Sequence, residues 1–356
     1  MVKKLKIAII GLGRIGAEPS SRLGNLSNGW HPVSHAESIK SNPNLELVSV
    51  CDLDLLKVEK YMKMYQVPIG FSDYKKLIDK TKPELISIAT RTNIKGEIVN
   101  YAIENGVKGI YIEKPLANSI SGCEQIIKQA EKFGVKIIYG TQRRGMSFFW
   151  RAKELAYSGK LGKIQSITFE YGPSMLLWTL PHITDLIIYF SNSSKFKEIS
   201  ALCNFDNDYT IFSNYLDEDP LVKSAVIKME NDVIAYLSSG NGRNVRIHLE
   251  KGIITVNGDG YSLDVSFEGE FKGKFNEMET EIANPARSGT QELFFDLCNS
   301  VLNSTPLKLV SNQEIIAGNE ILFGIIESAL RNGSTVKYLE TRKELTVTGR
   351  FGELYA

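Results

Sequence analysis

The sequence predicts an α/β protein in which a Rossmann domain with a doubly wound parallel sheet precedes an α+β domain with a large, mostly antiparallel open sheet. An apolar strand at residues 6–10 ends in the glycine-rich run of residues 11–16. Strands and helices then alternate to residue 139, which is typical of a parallel sheet covered on both faces. From about residue 163, short alternating strands separated by turn residues replace that pattern. These observations divide the chain into residues 1–140, residues 141–340 and a tail, residues 341–356.

The glycine-rich run has the spacing G-x-G-x-x-G, and it points to a dinucleotide. In such a turn the glycines let backbone amides approach a pyrophosphate at a helix N-terminus. The candidate cofactor-binding residues of the run are Gly11, Gly13, Arg14, Ile15 and Gly16.

Asp52 closes a second apolar strand, residues 47–51, and is the expected partner of the adenosine ribose hydroxyls. A carboxylate there repels a 2′-phosphate, so NAD is preferred over NADP. The alternative is that Asp52 caps the helix that begins near Leu55.

An insertion separates the glycine turn from this acidic residue, which normally follows by about 20 residues. Residues 17–33 contain Pro19, Gly24, Gly29 and Pro32, which break a helix. We therefore expect a loop beside the ligand crevice, with the helix resuming near Ser34. Its candidate contacts with cofactor or substrate are Arg22, Trp30 and His31. The alternative is a solvated loop with a partly buried Trp30.

The remaining elements of the first domain follow in order. We expect helices at 55–65, 74–80, 95–105 and 119–133, and strands at 85–89, 109–112 and 135–139. Ligands of such sheets bind at the carboxyl ends of the strands. The topology therefore predicts that five residues lie at one edge: Gly11, Asp52, Thr90, Glu113 and Lys114.

In the second domain we expect strands at 164–171, 198–204, 221–230, 233–239, 244–250, 252–257 and 261–268. Two late helices, residues 289–301 and 312–331, are expected to cover or flank this sheet.

Composition excludes several classes of function. The 356 residues carry a formal net charge of +1 with no basic face, which argues against nucleic-acid binding. No segment approaches the roughly 18 apolar residues of a membrane span, so we expect a cytoplasmic protein. The four cysteines share no C-x-x-C spacing, which indicates reduced structural thiols and no metal site.

Three tracts together resemble the glucose-fructose oxidoreductase, inositol dehydrogenase and rhizopine-catabolism (Gfo/Idh/MocA) family across most of the chain. They are GLGRIG from Gly11, then IATRTN from Ile88 with IYIEKPLA from Ile110, and finally GTQRR and SGKLGKI leading into PHITDL at residues 181–186. The resemblance implies hydride transfer between a nicotinamide and a carbinol carbon of a sugar, an inositol or a nucleotide-sugar derivative.

The resemblance also implies catalytic roles for Lys114, His182 and Asp185. Alcohol oxidation needs a group that takes the hydroxyl proton, and a lysine suits this task when burial lowers its pKa. Glu113 is expected to orient Lys114 or to contact the nicotinamide ribose. The alternatives are a solvated surface lysine, a histidine satisfied within the core, and a structural partner role for Asp185.

Two departures from the family pattern concern the same pocket. Trp178 stands where the family has an aspartate four residues before His182, and its ring is a candidate platform for a sugar. Residues 90–95 read Thr-Arg-Thr-Asn-Ile-Lys in place of Thr-Pro-x-x-x-His. Thr90, Arg91 and Asn93 are candidate cofactor contacts.

Four arginines raise the question of an anionic ligand. Arg143 follows the predicted strand at 135–139, at the domain junction, and is a candidate substrate-binding residue, together with Trp178 and His182. With Arg22, Arg91 and Arg144 it hints at a uronate or nucleotide sugar, although arginines also pair with carboxylates of their own protein.

The first functional hypothesis is an NAD(H)-dependent dehydrogenase of a sugar-like small molecule. The second is a catalytically silent NAD(P)-sensing regulator or binding protein, and a third is an enzyme that uses NAD transiently for elimination or glycoside cleavage. By analogy with the family, a homodimer or homotetramer is expected.

Overall fold

The structure, a computed structural model, describes residues 4–22, 26, 28–269, 275–278 and 286–349. In these ranges, six parallel strands form the first sheet in the order β3-β2-β1-β4-β5-β6. The strands are β1 (Leu5–Ile10), β2 (Leu45–Cys51), β3 (Ile69–Phe71), β4 (Leu85–Ile88), β5 (Gly109–Ile112) and β6 (Lys136–Tyr139). The predicted Rossmann topology is confirmed. Only β3 lacks a predicted counterpart, because three residues are too few to show a periodicity.

Helices connect these strands, and capping residues set several of their ends. They are α1 (Arg14–Ala17), α2 (His35–Ser41), α3 (Leu55–Tyr65), α4 (Tyr74–Thr81), α5 (Thr92–Glu104) and α6 (Ile120–Phe133). Asp54 caps α3 by accepting a hydrogen bond from Leu56 N (2.9 Å), and Asp73 caps α4 at Lys75 N (2.8 Å). Gly134 ends α6 in the left-handed conformation, φ +69°.

The predicted insertion is confirmed, and it reaches the second domain. After the single turn of α1 the chain forms short 3₁₀ turns at Ser20–Arg22 and Asn28–Trp30 before α2 begins. Trp30 Nε1 donates to the carbonyl oxygen of Asp259, 2.9 Å away. Gly24 of the predicted loop lies outside the described residues.

The second domain contains a large mixed sheet in the order β16-β15-β14-β13-β7-β12-β11-β9-β17, with β8 paired to β11. Neighbouring strands are antiparallel except for the parallel pair of β7 and β12. The strands of this domain are β7 (Ile164–Glu170), β8 (Ser174–Met175), β9 (Phe196–Asn204), β10 (Tyr215–Leu216), β11 (Leu221–Met229), β12 (Ile234–Ser238), β13 (Asn244–Leu249), β14 (Gly252–Asn257), β15 (Ser262–Glu268), β16 (Phe275–Met278), β17 (Val336–Lys337) and β18 (Thr346–Val347). Strands β10 and β18 pair separately, so part of the predicted tail is ordered against this domain.

Four helices complete the structure: α7 (Ser147–Ala156), α8 (Leu180–Ser191), α9 (Gly289–Asn303) and α10 (Asn312–Leu330). Helices α8 and α10 belong to the apolar core of the second domain. The expectation that α9 flanks the antiparallel sheet is wrong, because α9 packs on the Rossmann domain. Its Phe294 stacks on Tyr111 of β5 at 4.3 Å between ring centroids. The apolar core of the Rossmann domain therefore includes residues of α9, which lie far beyond the predicted domain boundary at residue 140.

No helix in the described part of the chain is long and apolar enough to cross a membrane. All four cysteines are free thiols, and three of them are buried: Cys51, Cys123 and Cys298.

Candidate active site

The glycine turn after β1 is packed so closely that side chains are excluded. Gly11 has φ +96°, and a Cβ there would lie 2.7 Å from the backbone of Ala89. A Cβ on Gly16 would overlap the carbonyl oxygen of Gly11. Gly13 precedes α1, and no side chain caps that helical turn. Arg14 and Ile15 lie within the turn, so all five predicted residues of the run are placed at the same edge of the sheet.

Asp52 connects this turn to the next loop. Its Oδ2 accepts a hydrogen bond from Leu12 N (2.6 Å), and its Oδ1 accepts one from Asp54 N (3.0 Å). A carboxylate oxygen has two lone pairs, so each oxygen retains capacity for a ribose hydroxyl. The glycine turn and Asp52 therefore fit the adenosine half of a dinucleotide. The cap of α3 is Asp54, not Asp52, so the alternative interpretation of Asp52 is wrong.

Thr90 and Arg91 follow β4 at the same edge, and Gly11 lies against Thr90. Arg91 is the residue that precedes α5. Asn93, in the first turn of that helix, lines an open groove of about 720 Å³ between α5 and α6. Thr90 and Arg91 thus share the carboxyl edge of the sheet with Gly11 and Asp52, whereas Asn93 faces the groove between α5 and α6.

Lys114 lies in the turn after β5, and its amine is fixed by one residue of the second domain. Lys114 Nζ donates to the carbonyl oxygen of Trp178 (2.7 Å) and lies 4.4 Å from the centroid of the Trp178 ring. Burial lowers the pKa of Lys114, and the charge of Arg143 adds to this effect, while Glu113 and Asp219 oppose it. A lysine with a lowered pKa can exchange a proton nearer neutrality than a solvated one.

Glu113 is held by a histidine that sequence reasoning did not identify. His35 is fully buried, with Nε2 3.0 Å from Glu113 Oε1 and Nδ1 2.6 Å from Ser87 Oγ. Burial opposes ionisation of Glu113, but the hydrogen bond and charge of His35, with Lys114 and Lys95 nearby, keep its pKa below the usual value. An ionised carboxylate only accepts, so Nε2 carries the proton. His35 follows the insertion, and no spacing signal connects it with Glu113, 78 positions away.

Gly140, after β6, provides the room that Glu113 needs. A Cβ at this position would lie 2.6 Å from Glu113 Oε1. The glycine that begins the tract GTQRR is therefore required by the carboxylate beside Lys114.

Arg143 forms a buried ion pair at the domain junction. Its Nε and Nη2 each lie 2.6 Å from one carboxylate oxygen of Asp259, in a bidentate arrangement. The guanidinium carbon lies 5.0 Å from the ring of Trp30 and 5.7 Å from the ring of Tyr171. Arg143 Nη1 is buried and has no hydrogen-bond partner. One nitrogen of an otherwise neutralised arginine, with both of its N–H groups, therefore remains without a partner.

His182 and Trp178 lie at and just before the start of α8. His182 is 9% exposed, and its Nδ1 has no hydrogen-bond partner. Burial lowers the pKa of His182 far below its usual value, and the charges of Arg143 and Lys114 act in the same direction. The backbone of Trp178 is held by Asp219, whose Oδ2 accepts from Trp178 N (3.1 Å). The structure thus brings Lys114, Trp178, His182 and Arg143 together between the domains.

Asp185 has a different environment from the one expected of a catalytic group. Its Oδ2 accepts from Arg144 Nε at 2.9 Å, and the same guanidinium donates to Glu314 Oε1 (2.6 Å) and to the carbonyl of Leu309 (3.0 Å). Asp185 is 4% exposed and Arg144 is 2% exposed. This arrangement corresponds to the alternative interpretation, in which Asp185 is a structural partner.

The arginines that hinted at an anionic ligand are largely neutralised within the protein. Arg22 pairs with Glu18 (2.9 Å), Arg143 with Asp259, and Arg144 with both Asp185 and Glu314. Arg91 also has an interaction partner. Charge alone therefore gives no support for an anionic substrate.

Comparison with known proteins agrees with this site. Residues 5–141 match the sequence model of the Gfo/Idh/MocA family, which is described as an oxidoreductase family with an NAD-binding Rossmann fold. The first domain is therefore an NAD-binding Rossmann domain of an oxidoreductase family. The resemblance inferred from the motifs is thereby confirmed for the first domain, residues 5–141. No curated protein matches the sequence at a significant level.

Solved structures share the whole fold. Aldose-aldose oxidoreductase from Caulobacter crescentus, solved with glycerol, has a TM-score of 0.74 at 16% identity, over 94% of this chain and 100% of that one. Myo-inositol 2-dehydrogenase from Lactobacillus plantarum has a TM-score of 0.69 at 19% identity, over 94% and 99%. An oxidoreductase from Agrobacterium radiobacter, solved with NAD⁺, L-tartaric acid and magnesium, has a TM-score of 0.71 at 14% identity, over 94% and 99%. At these identities the likeness concerns the fold alone.

Proposed function

We propose that this protein is an NAD(H)-dependent oxidoreductase that transfers a hydride between the nicotinamide and a carbinol carbon of a sugar, inositol or sugar derivative. One observation carries the proposal. The amine of Lys114, with its lowered pKa, lies with unsatisfied nitrogens of Arg143 and His182 between an NAD-binding domain and a second domain. Buried polar atoms without partners are rare in proteins, and a bound hydroxylated ligand, which can both donate and accept hydrogen bonds, would satisfy them.

The bound NAD would supply the hydride acceptor or donor. The residues proposed to hold it are Gly11, Gly13, Arg14, Ile15, Gly16, Asp52, Thr90, Arg91, Asn93, Glu113 and Lys114. Glu113 acts mainly through position, because its hydrogen bond to His35 fixes its carboxylate beside Lys114. The hydrogen-bonded series Glu113–His35–Ser87 ends at the fully buried Ser87. It therefore stabilises the Glu113 carboxylate without carrying protons to solvent.

Lys114 is proposed to exchange the substrate proton at Nζ. Its neutral amine would take the hydroxyl proton during oxidation, and its ammonium form would polarise a carbonyl during reduction. The carbonyl of Trp178 accepts a hydrogen bond from Nζ and fixes its direction, while the Trp178 ring favours the ammonium form through a cation–π contact.

His182 and Arg143 are proposed to bind substrate oxygens. His182, with its pKa far below neutrality, is an uncharged hydrogen-bonding group near pH 7 and does not supply a proton. Arg143 offers Nη1 while Asp259 neutralises its charge, a combination that suits a neutral hydroxyl better than a carboxylate. Trp178 is 39% exposed, which leaves part of its ring available to stack on a sugar. The names of the aldose and inositol enzymes of the same fold are consistent with a polyol substrate.

The oligomeric state is also a proposal. The outer face of the large sheet presents Leu202, Val226 and Tyr236, which are 54%, 44% and 37% exposed. Val226 and Tyr236 are cross-strand partners, so these apolar groups form a patch rather than isolated residues. We propose that this face forms a homodimer or homotetramer contact, and sedimentation velocity would decide between these states and a monomer.

A substrate panel tests the function. With NADH or NAD⁺ bound, sugars, inositols and sugar derivatives would be screened for a change in nicotinamide absorbance. We expect turnover of at least one neutral polyol. Tight NADH binding without turnover across the panel would favour the NAD(P)-sensing regulator. Turnover of a substrate without net consumption of NAD would favour transient redox chemistry.

Replacement of Asp52 tests the cofactor preference. We expect Asp52→Asn to raise the affinity for NADPH relative to NADH by about tenfold, which corresponds to about 1.4 kcal/mol, because the repulsion of a 2′-phosphate is removed. Tryptophan fluorescence titration with both cofactors measures the ratio. Asp54→Asn is the control, since Asp54 caps α3 two positions away. An unchanged ratio in Asp52→Asn would contradict the assigned role of Asp52.

A further inference from the structure

Lys95 is a buried lysine that the proposed reaction does not use. It lies on α5 and is 1% exposed. Lysines are almost never fully buried unless their charge or donors are satisfied. In this chain Lys95 occupies the last position of the tract Thr-Arg-Thr-Asn-Ile-Lys.

The partners of Lys95 are two backbone carbonyls. Its Nζ donates to the carbonyl oxygen of Glu113 and to that of Pro115, the latter at 2.6 Å. These carbonyls belong to the residues directly before and after Lys114. One amine therefore bridges the peptide groups on both sides of Lys114. Pro115 has no N–H of its own, so the turn has fewer backbone donors to hold it.

Lys95 also lies within electrostatic range of Lys114. Burial lowers the pKa of Lys95 to about 7; Glu113 opposes this effect, and the charge of Lys114 adds to it. Repulsion between two ammonium groups is mutual, so the titrations of the two lysines are coupled, and Lys95 is largely neutral above about pH 7. The groups that act on Lys114 itself are Glu113, Arg143 and Asp219, and Lys114 in turn acts on His182.

We propose that Lys95 is a positioning residue for Lys114: its amine clamps the backbone carbonyls on either side of Lys114 and so holds Lys114 in the buried position that favours a neutral amine. The proposal rests on the proposed function, in which Lys114 takes the substrate proton as a neutral amine. The clamp fixes the turn from which Lys114 Nζ extends to the carbonyl oxygen of Trp178.

Competitive acetylation tests this proposal without substrate or cofactor. The intact apoprotein would be treated with trace acetic anhydride over a range of pH, and acetylation of the peptide that contains Lys114 would be quantified by mass spectrometry. The amine reacts only when neutral, so the pH curve gives its pKa, and the plateau gives its accessibility. The variants are Lys95→Met, which lacks both donors and charge, and Lys95→Arg, which keeps a permanent charge. Lys108→Met is the matched control, because Lys108 is exposed and paired with Glu84.

The sign of the expected change follows from burial, the main cause of the lowered pKa of Lys114. Loss of the clamp lets Lys114 leave its buried position, which raises its pKa, so its acetylation curve in Lys95→Met moves to higher pH. Near about pH 8, we expect labelling about three- to tenfold slower than in the wild type. In Lys95→Arg the curve stays at or below its wild-type position, and Lys108→Met leaves it unchanged. A role in stability alone would not separate the methionine and arginine variants.

Two results would overturn the proposal. One is a Lys114 curve in Lys95→Met that superimposes on the wild-type curve, in a protein with wild-type NADH affinity and thermal midpoint. The other is an equal upward shift in Lys95→Arg. If Lys95→Met does not fold, Lys95→Gln, whose side chain is one atom shorter and so loses the bridge between the two carbonyls, must show an upward shift as well. Because labelling needs no turnover, failure here is separate from failure of the proposed dehydrogenase activity.

Discussion

Replacement of Lys114 by alanine is expected to lower kcat by about 10²- to 10⁴-fold, the usual contribution of a general acid or base. Affinity for NADH should stay within a few fold, because the glycine turn and Asp52 lie on other loops of the sheet edge. Stopped assays with the polyol identified in the panel would give kcat, and fluorescence titration would give the dissociation constant of NADH.

Two further variants sharpen the interpretation of Lys114. Lys114→Arg keeps the charge and the cation–π contact but does not release a proton near neutrality, so we expect a loss as large as that of alanine. Substantial activity in Lys114→Arg would show that the residue acts by charge alone. Lys108→Ala is the control. Lys108 directly precedes β5, is exposed and pairs with Glu84, so this variant should retain wild-type activity.

The second large effect is expected on stability, at Asp185. Its removal in Asp185→Ala leaves the buried Arg144 with Glu314 as its remaining charged partner. Loss of one partner of a buried ion pair costs about 3–5 kcal/mol when the other charge is left unpaired, and we expect a loss at the lower end of that range because Glu314 still pairs with Arg144. Denaturant unfolding would measure the change in the free energy of unfolding. Glu154→Ala is the matched control, since its pair with Arg151 is exposed and worth about 0–1 kcal/mol.

Asp185→Asn separates a structural role from a catalytic one. The amide oxygen can still accept a hydrogen bond from Arg144 Nε, so we expect a smaller loss of stability than with alanine. If Asp185 is structural, kcat should stay within about fivefold of the wild type, a change of about 1 kcal/mol in the activation free energy. A loss of kcat comparable to that of Lys114→Ala, in a folded protein, would restore the catalytic interpretation of Asp185.

The elements of the first domain were largely predictable because they depend on local periodicity. Helix α3 begins and ends at the predicted residues, and strand β5 has the predicted bounds. The same holds for seven strands of the second domain, β7, β9 and β11 to β15, whose alternating residues and turn signals are local. The short strands β8, β10, β16, β17 and β18 had no predicted counterpart. The surface on which α9 packs was not predictable, because an apolar stripe shows that a helix is buried but not which part of the protein covers it.

In the candidate site, too, the features set by local sequence and topology were predictable, and the contacts between distant segments were not. Chain topology alone placed Gly11, Asp52, Thr90, Glu113 and Lys114 at one edge, because parallel strands of one sheet present their carboxyl ends together. Contacts between distant segments were decided only by the tertiary structure. These contacts are the hydrogen bond of His35 to Glu113, the clamp of Lys95 around Lys114, and the pairing of Arg143 with Asp259 beneath Trp30 of the insertion.

The sequence by itself thus determined the fold class, the cofactor-binding turn and the position of the lysine proposed to exchange protons. Only the tertiary structure decided which charges are neutralised and which donors remain for a ligand. The physical reason is that burial and ion pairing depend on what the other domain brings to each side chain. Asp185 and Arg143 illustrate this: both were candidates by position, and the structure pairs Asp185 with Arg144 and Arg143 with Asp259, while Arg143 Nη1 has no hydrogen-bond partner.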